Sequence, residues 1–161
     1  MTSGIVVNGM RDALAVASQI LESAREEVIW LIPPSLMLLS TRYGFIEKAR
    51  AFSQRGGVSR GIVPLWHANS EDVQMSLDFG ADVRHSDITY ELLMFVGDKQ
   101  QSISAINIGV DEFTLDTHFI AFWSEDPTYA EYLLASFESA WSEAVSAEQR
   151  IQELEQEIGQ R

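Results

Sequence analysis

The residues able to do chemistry concentrate between positions 91 and 107. They read Glu91-Leu92-Leu93-Met94-Phe95-Val96-Gly97-Asp98 and then Lys99-Gln100-Gln101-Ser102-Ile103-Ser104-Ala105-Ile106-Asn107. Carboxylates, hydroxyls and an amide at this spacing suit a hydrolytic or a binding site, and hydrolysis would need a base or nucleophile from elsewhere. The three histidines, His67, His85 and His118, stand far apart with no i, i+4 spacing. A metal site would need the fold to bring them to Glu91 or Asp98, so surface or hydrogen-bonded histidines are the expectation and no metal ligand is assigned. Ser104 with a histidine would suit acyl transfer, but no G-x-S-x-G elbow is present. Neither G-x-G-x-x-G nor a P-loop occurs, which removes the usual nucleotide fingerprints, and the sequence names no cofactor.

Positioning these groups requires a strand, a tight turn and a second strand: an apolar run to Val96, a turn around Gly97-Asp98-Lys99, and a return ending in the Ser104–Asn107 polar stretch. The chain before it alternates helix and strand. Ile5-Val6-Val7 is a short β-branched run with Asn8 as a helix N-cap. Met10, Leu14, Ala17, Leu21 and Ala24 then recur at steps of four and three, an amphipathic helix. Val28-Ile29-Trp30-Leu31-Ile32 has no alternation, as expected of a strand covered on both faces, and Pro33-Pro34 stops it.

A helix is expected over 41–54, a strand over 61–66, a short helix ending at Phe79-Gly80, a brief strand over 81–84, and a last strand over 117–123. Asp126-Pro127 opens the terminal helix. Early strands separated by helices and late strands separated by turns predict an α/β fold, a mixed sheet covered by helices on both faces.

The 161 residues suit one domain with a sizeable core, and 46% apolar with 22% charged is ordinary for a globular chain. No apolar run reaches the ~20 residues of a membrane span, the N-terminus lacks a secretory pattern, and no cysteine occurs, so a cytoplasmic location is expected. Eleven basic against twenty-four acidic residues give a net charge of −13. Phosphate contacts dominate DNA affinity, so direct nucleic-acid binding is not expected. Arg42, Lys48, Arg50, Arg55 and Arg60 cluster in sequence, but helical spacing makes them a solvated face.

This succession of elements resembles a single half of the phospholipase D superfamily. It rests on the apolar strand ending Ile32-Pro33-Pro34, on Arg55-Gly56-Gly57-Val58 before the next strand, on Phe79-Gly80-Ala81-Asp82-Val83-Arg84, and on the 91–107 hairpin. It ends with Asp126-Pro127 and a helix carrying Phe137 and Trp141, and covers about residues 5 to 142. The active family carries H-x-K-x-x-x-x-D followed by G-S and an asparagine. With its aspartate on Asp98, Glu91 falls at the histidine, Leu93 at the lysine, Ser104-Ala105 near the Gly-Ser pair, and Asn107 at the asparagine. A carboxylate and a leucine replace neither an imidazole nucleophile nor a phosphate-holding cation, so no catalytic residue is carried over. Degenerate halves of this kind serve as ligand-binding or sensory modules beside DNA-binding or signalling domains, and the resemblance implies that class of role.

Along the terminal helix Leu133, Phe137, Ala140, Ala144, Ala147, Ile151, Leu154 and Ile158 keep a strict four–three alternation. Before Val145 the apolar face is broad enough to pack on the domain. Beyond it Ala147, Ile151, Leu154 and Ile158 form a narrow seam flanked by Glu, Gln and Arg, the pattern of a dimeric coiled coil. The organisation expected is therefore a domain over 1–126 and a helix over 127–161 whose second half is coiled-coil-like. Arg150 would face Glu155 of a parallel partner, and Glu143 would face Glu148, so the flanks do not fix orientation.

The expected function is a non-catalytic sensory or regulatory module. It would be a homodimer binding a small ligand or partner and signalling through the terminal helix into a C-terminal effector domain of a longer protein. Since ligands of open α/β sheets gather at the carboxyl ends of strands, Pro33-Pro34-Ser35, Trp66, His67, Glu91, Asp98 and Asn107 are the candidate lining. The alternatives are a hydrolase or phosphodiesterase with an altered site around Glu91 and Asp98, and a structural dimerisation domain without ligand.

Overall fold

The computed structural model describes residues 4–87, 92–106, 109–110, 117–118 and 120–159. Its elements are β1 (Ile5–Asn8), α1 (Gly9–Ser23), β2 (Glu27–Leu31), α2 (Pro34–Arg42), α3 (Phe45–Gln54), β3 (Val58–Val63), α4 (Ser70–Asp78), β4 (Asp82–His85), β5 (Leu93–Gly97), β6 (Gln101–Ala105), β7 (Gly109–Val110), β8 (Thr117–His118), β9 (Ile120–Ser124), α5 (Pro127–Glu143), β10 (Val145–Ser146) and α6 (Ala147–Gly159). One sheet has the order β1-β9-β6-β5-β2-β3-β4-β10, and β7 pairs with β8. β2, β3 and β4 run parallel; β5 is antiparallel to β2, and the remaining pairings are antiparallel. The mixed sheet expected from the element order is the observed one.

Helices cover both faces. On one, α1 packs Ala13, Val16, Ala17, Ile20 and Leu21 against Val28, Trp30, Phe95 and Ile103, with α2, α3, α4 and α6 in the same cluster. On the other, α5 lays Ala130, Leu133, Phe137 and Trp141 on Ile29, Leu31, Ile62, Met94 and Val96. Consecutive residues of β2 thus serve opposite cores, which is why its sequence is apolar without alternation. Phe137 is fully buried; burial of such a side chain is worth about 2 to 3 kcal/mol.

Pro34 does more than stop β2. It stands at the first position of α2, where its missing N–H and fixed φ suit a helix start. The single helix expected over 41–54 is two helices, because Gly44 turns the chain at φ +77.

The expected helix over 127–161 is also divided. Asp126 caps α5 by accepting the N–H of Thr128 at 2.9 Å, and Arg84 donates to the carbonyl of Trp141 at 2.8 Å near its end. Ala144 is extended, and Val145 and Ser146 pair with His85 and Arg84 at the edge of the sheet. Ser146 then accepts the N–H of Gln149 at 3.2 Å as α6 begins. The four–three stripe therefore crosses the sheet edge: Leu133 and Phe137 lie in one core, Ala147, Ile151 and Leu154 in the other. Ala147 and Leu154 are buried within their own chain, and Ile158 is the exposed member of the expected seam. The continuous coiled-coil helix is corrected to two helices clasping one edge. No helix among the described residues is long and apolar enough to cross a membrane.

Candidate functional site

Asp98 and Lys99 both hold left-handed backbone conformations, φ 51 and 59, in the turn between β5 and β6. Aspartate tolerates that region better than most residues, and here its side chain is also fastened. Its carboxylate accepts the backbone N–H of Arg25, Glu26 and Glu27 at 2.8, 2.9 and 3.0 Å, while its own N–H donates to the carbonyl of Glu27 at 2.8 Å. Burial pushes the carboxyl up, but the N–H bonds from Glu27, Arg25 and Glu26, aided by the Arg25 charge, hold it below its ordinary value. Asp98 ties the hairpin to the start of β2.

Trp66 and His67 lie at the other end of the sheet, where β2, β3 and β4 finish. The loop after β3 is fixed by Asn69, which accepts the N–H of Trp66 at 2.8 Å and donates to the carbonyl of Pro64 at 2.9 Å. His85, at the end of β4, accepts the N–H of Leu65 on Nδ1 at 2.8 Å and faces Asp87 through Nε2 at 3.3 Å. From α6, Arg150 donates to the carbonyl of Leu65 at 3.2 Å and pairs with Glu153 and Glu157; His67 stands 3.8 Å from Glu157. Burial lowers the pKa of His85, Asp87 raises it, and Arg150 lowers it further.

The candidate lining therefore does not converge. Trp66 and His67 are neighbours at the carboxyl end. Asp98 follows Gly97, four residues beyond Met94, and Met94 pairs with Leu31 at that carboxyl end; at ~3.3 Å per residue Asp98 is about 13 Å further along the strand. Glu91 and Asn107 lie outside the described residues, as does the side chain of Ser35. Among the described residues, no three of His, Asp and Glu stand close enough to hold a metal ion.

What the structure does assemble is a cavity of about 80 Å³ between the sheet and helices α1 to α4. Leu93 lines it, together with Trp30, Phe95, Ile32, Met37 and Phe45. Gly61 admits the wall: the Trp30 indole lies where a Cβ on residue 61 would stand, and its N–H donates to Ser59 at 3.0 Å. Phe45 meets Phe95 edge-on at 5.8 Å between ring centroids. Among the described residues, no charged side chain lines the space. Leu93, which the sequence resemblance sets at the lysine of the phospholipase D motif, thus lines an apolar chamber. Trp30, Ile32, Leu93 and Phe95 belong to the apolar strand runs of the sequence, which carry no signal that they leave a space.

No family model and no curated protein matches the chain. Solved structures do match it. NucT from Helicobacter pylori gives a TM-score of 0.69 at 12% identity, covering 91% of this chain and 99% of that one. Nuc from Salmonella typhimurium, a phospholipase D family member, gives 0.66 at 14%, covering 91% and 98%. TrmBL2, an archaeal chromatin protein with a novel mode of DNA binding, gives 0.67 at 15%, with 88% of this chain covered; the match spans about half of that protein, 53%. The class is a helix-covered mixed α/β sheet, and the particular fold is phospholipase D-like.

The DNA-binding neighbour corrects one expectation. The net charge of −13 leads to the expectation of no direct nucleic-acid binding, yet a protein sharing this fold is described by its mode of DNA binding. Whole-chain charge is an average and does not set the potential at one surface. The side chain of Arg42 lies outside the described residues; the other four of the cluster are individually engaged, Lys48 with Glu22, Arg50 with Glu47, Arg55 with the carbonyls of Leu21 and Ala24, and Arg60 with Glu27 and Glu138.

Proposed function

We propose that this chain is a non-catalytic, phospholipase D-like sensory module that binds a small ligand and passes its occupancy to α6. The observation that carries the reading is Leu93, which matches the family lysine and lines an apolar cavity. A leucine there supplies no charge to a phosphate, and the described residues of the surrounding walls supply none either. Asp98, matching the family aspartate, is committed to the backbone of residues 25–27. The helix α6 suits the output because Ala147, Leu154 and Ile151 join the same core cluster as the cavity walls. A change in that cluster alters what α6 packs against, and the Arg150 contact with Leu65 gives the helix a polar latch that such a change can strain.

The test is a phosphodiesterase assay on a generic activated diester with wild type and Glu91→Ala. Background-level turnover in both is expected. Turnover by the wild type that Glu91→Ala abolishes would replace this reading with an altered hydrolase.

A further inference from the structure

We propose that the cavity under α1 to α4 is the binding site and that it takes a small, uncharged, apolar molecule rather than a sugar, a phosphate or another polar metabolite. This inference rests on the non-catalytic reading and specifies its ligand. Size is the first constraint. A cavity of about 80 Å³ is smaller than the ~150 Å³ engineered cavity that accepts benzene or xenon. It therefore suits occupants smaller than benzene: a noble-gas atom or a hydrocarbon of about three or four carbons.

Chemistry is the second constraint. Polar side chains on the wall are three serines, and each already has a partner. Ser40 donates to the carbonyl of Met37 at 2.8 Å, Ser76 donates to the carbonyl of Asp72 at 3.1 Å, and Ser59 accepts the indole N–H of Trp30 at 3.0 Å. A polyol entering this space would surrender its hydration and find almost no replacement. A charged ligand would meet no counter-charge among the described residues. An apolar molecule gives up nothing, and gains dispersion contacts with walls that otherwise face empty space.

Access is the third. Most of the wall is buried, but Leu14, Ile32, Phe45, Ala49, Phe79 and Leu93 are only half-buried. Ile32 and Leu93 lie at the carboxyl end of the sheet, Ile32 just after β2 and Leu93 opening β5, so the ligand enters beside the position the family lysine would occupy.

The experiment uses the full chain with xenon and, separately, isobutane as probes, followed by ¹H–¹⁵N spectra and thermal unfolding. Saturable shifts confined to residues around Trp30, Phe45 and Leu93, with a higher Tm, are expected. Ala17→Leu fills the space and should weaken binding roughly tenfold or more. Leu93→Ala enlarges it and should admit benzene, which the wild type refuses; this variant keeps the proposal testable if Ala17→Leu fails to fold. No saturable binding of either probe to wild type, or binding untouched by both variants, overturns the proposal. The diester assay separates the two readings. Apolar binding together with turnover that Glu91→Ala abolishes would sink the non-catalytic reading alone, and absence of both binding and turnover would sink the ligand assignment alone.

Discussion

Across 73 positions of chain, the Asp98 carboxylate accepts the backbone N–H of Arg25 at 2.8 Å. With the bonds from Glu26 and Glu27, this carboxylate supplies acceptors to the residues that lead into β2 and open it. A residue conspicuous for chemistry is thereby used to join a hairpin to the strand beside it.

Asp98→Ala should destabilise the fold by about 3 kcal/mol, through orphaned N–H groups and a left-handed backbone that alanine tolerates poorly. Asp98→Asn keeps one acceptor oxygen and should lose less, about 1 to 2 kcal/mol. Urea unfolding checks both as a lower midpoint at unchanged slope. The folded carboxyl pKa lies below the ordinary 3.8. Its contribution is thus complete above 3.8 and is lost as pH falls through the lower folded value. The gap between wild type and Asp98→Asn should close in that acid window.

His85 carries the opposite chemistry with the same direction of pH dependence. Its folded pKa lies below 6.5, so the unfolded chain takes up a proton first as pH falls. Stability should be full above 6.5 and decline below it until the folded imidazole also protonates. Protonation at Nδ1 also ends the bond from Leu65 N–H, in a setting where Asp87, Arg150 and Glu153 are the facing charges. An NMR titration of the His85 ring should give a midpoint below 6.5, and His85→Gln should flatten this part of the pH profile. A midpoint above 6.5 refutes the prediction.

The attachment of α6 rests on its buried Ala147 and Leu154 and on the Arg150 bond to Leu65. Arg150→Met should cost about 1 to 2 kcal/mol, and Ser146→Ala about 1 kcal/mol through the lost cap. Hydrogen exchange is the sensitive readout. Amides of 147–159 should exchange faster in both variants, while those of β2 and β5 keep their protection. Equal acceleration everywhere would mean that α6 is not a separable element.

The layout of strands and helices was legible because long-range burial leaves local marks. The unbroken run Val28–Ile32 announces a strand between two cores, and Asp126-Pro127 announces a helix start. The division of the terminal helix was written more faintly. Heptad spacing is blind to a change of sheet face, because each segment on its own keeps the four–three step. The signal lay in Ser146-Ala147-Glu148-Gln149, the S-x-x-Q pattern of a helix N-terminus, placed just after β-branched Val145. The cavity left no such mark. A wall residue and a well-packed core residue are the same amino acid, and only the packing distinguishes them.

Leu93→Lys introduces the lysine that the phospholipase D resemblance sets at this position, and its outcome separates a missing residue from a missing site. The ammonium would enter walls whose described residues include no carboxylate, where burial disfavours its charge and drives its pKa down. The variant should lose about 2 to 4 kcal/mol of stability, with less loss at high pH, where the amine is neutral and its burial costs less. On the non-catalytic reading phosphodiester turnover should stay at background, because that reading sets Glu91 at the place of the imidazole nucleophile. Isobutane binding should fall with the introduced charge and recover as pH rises. A Leu93→Lys protein that is fully stable and cleaves a diester would mean that the phosphate site survives in this chain and that one substitution had silenced it.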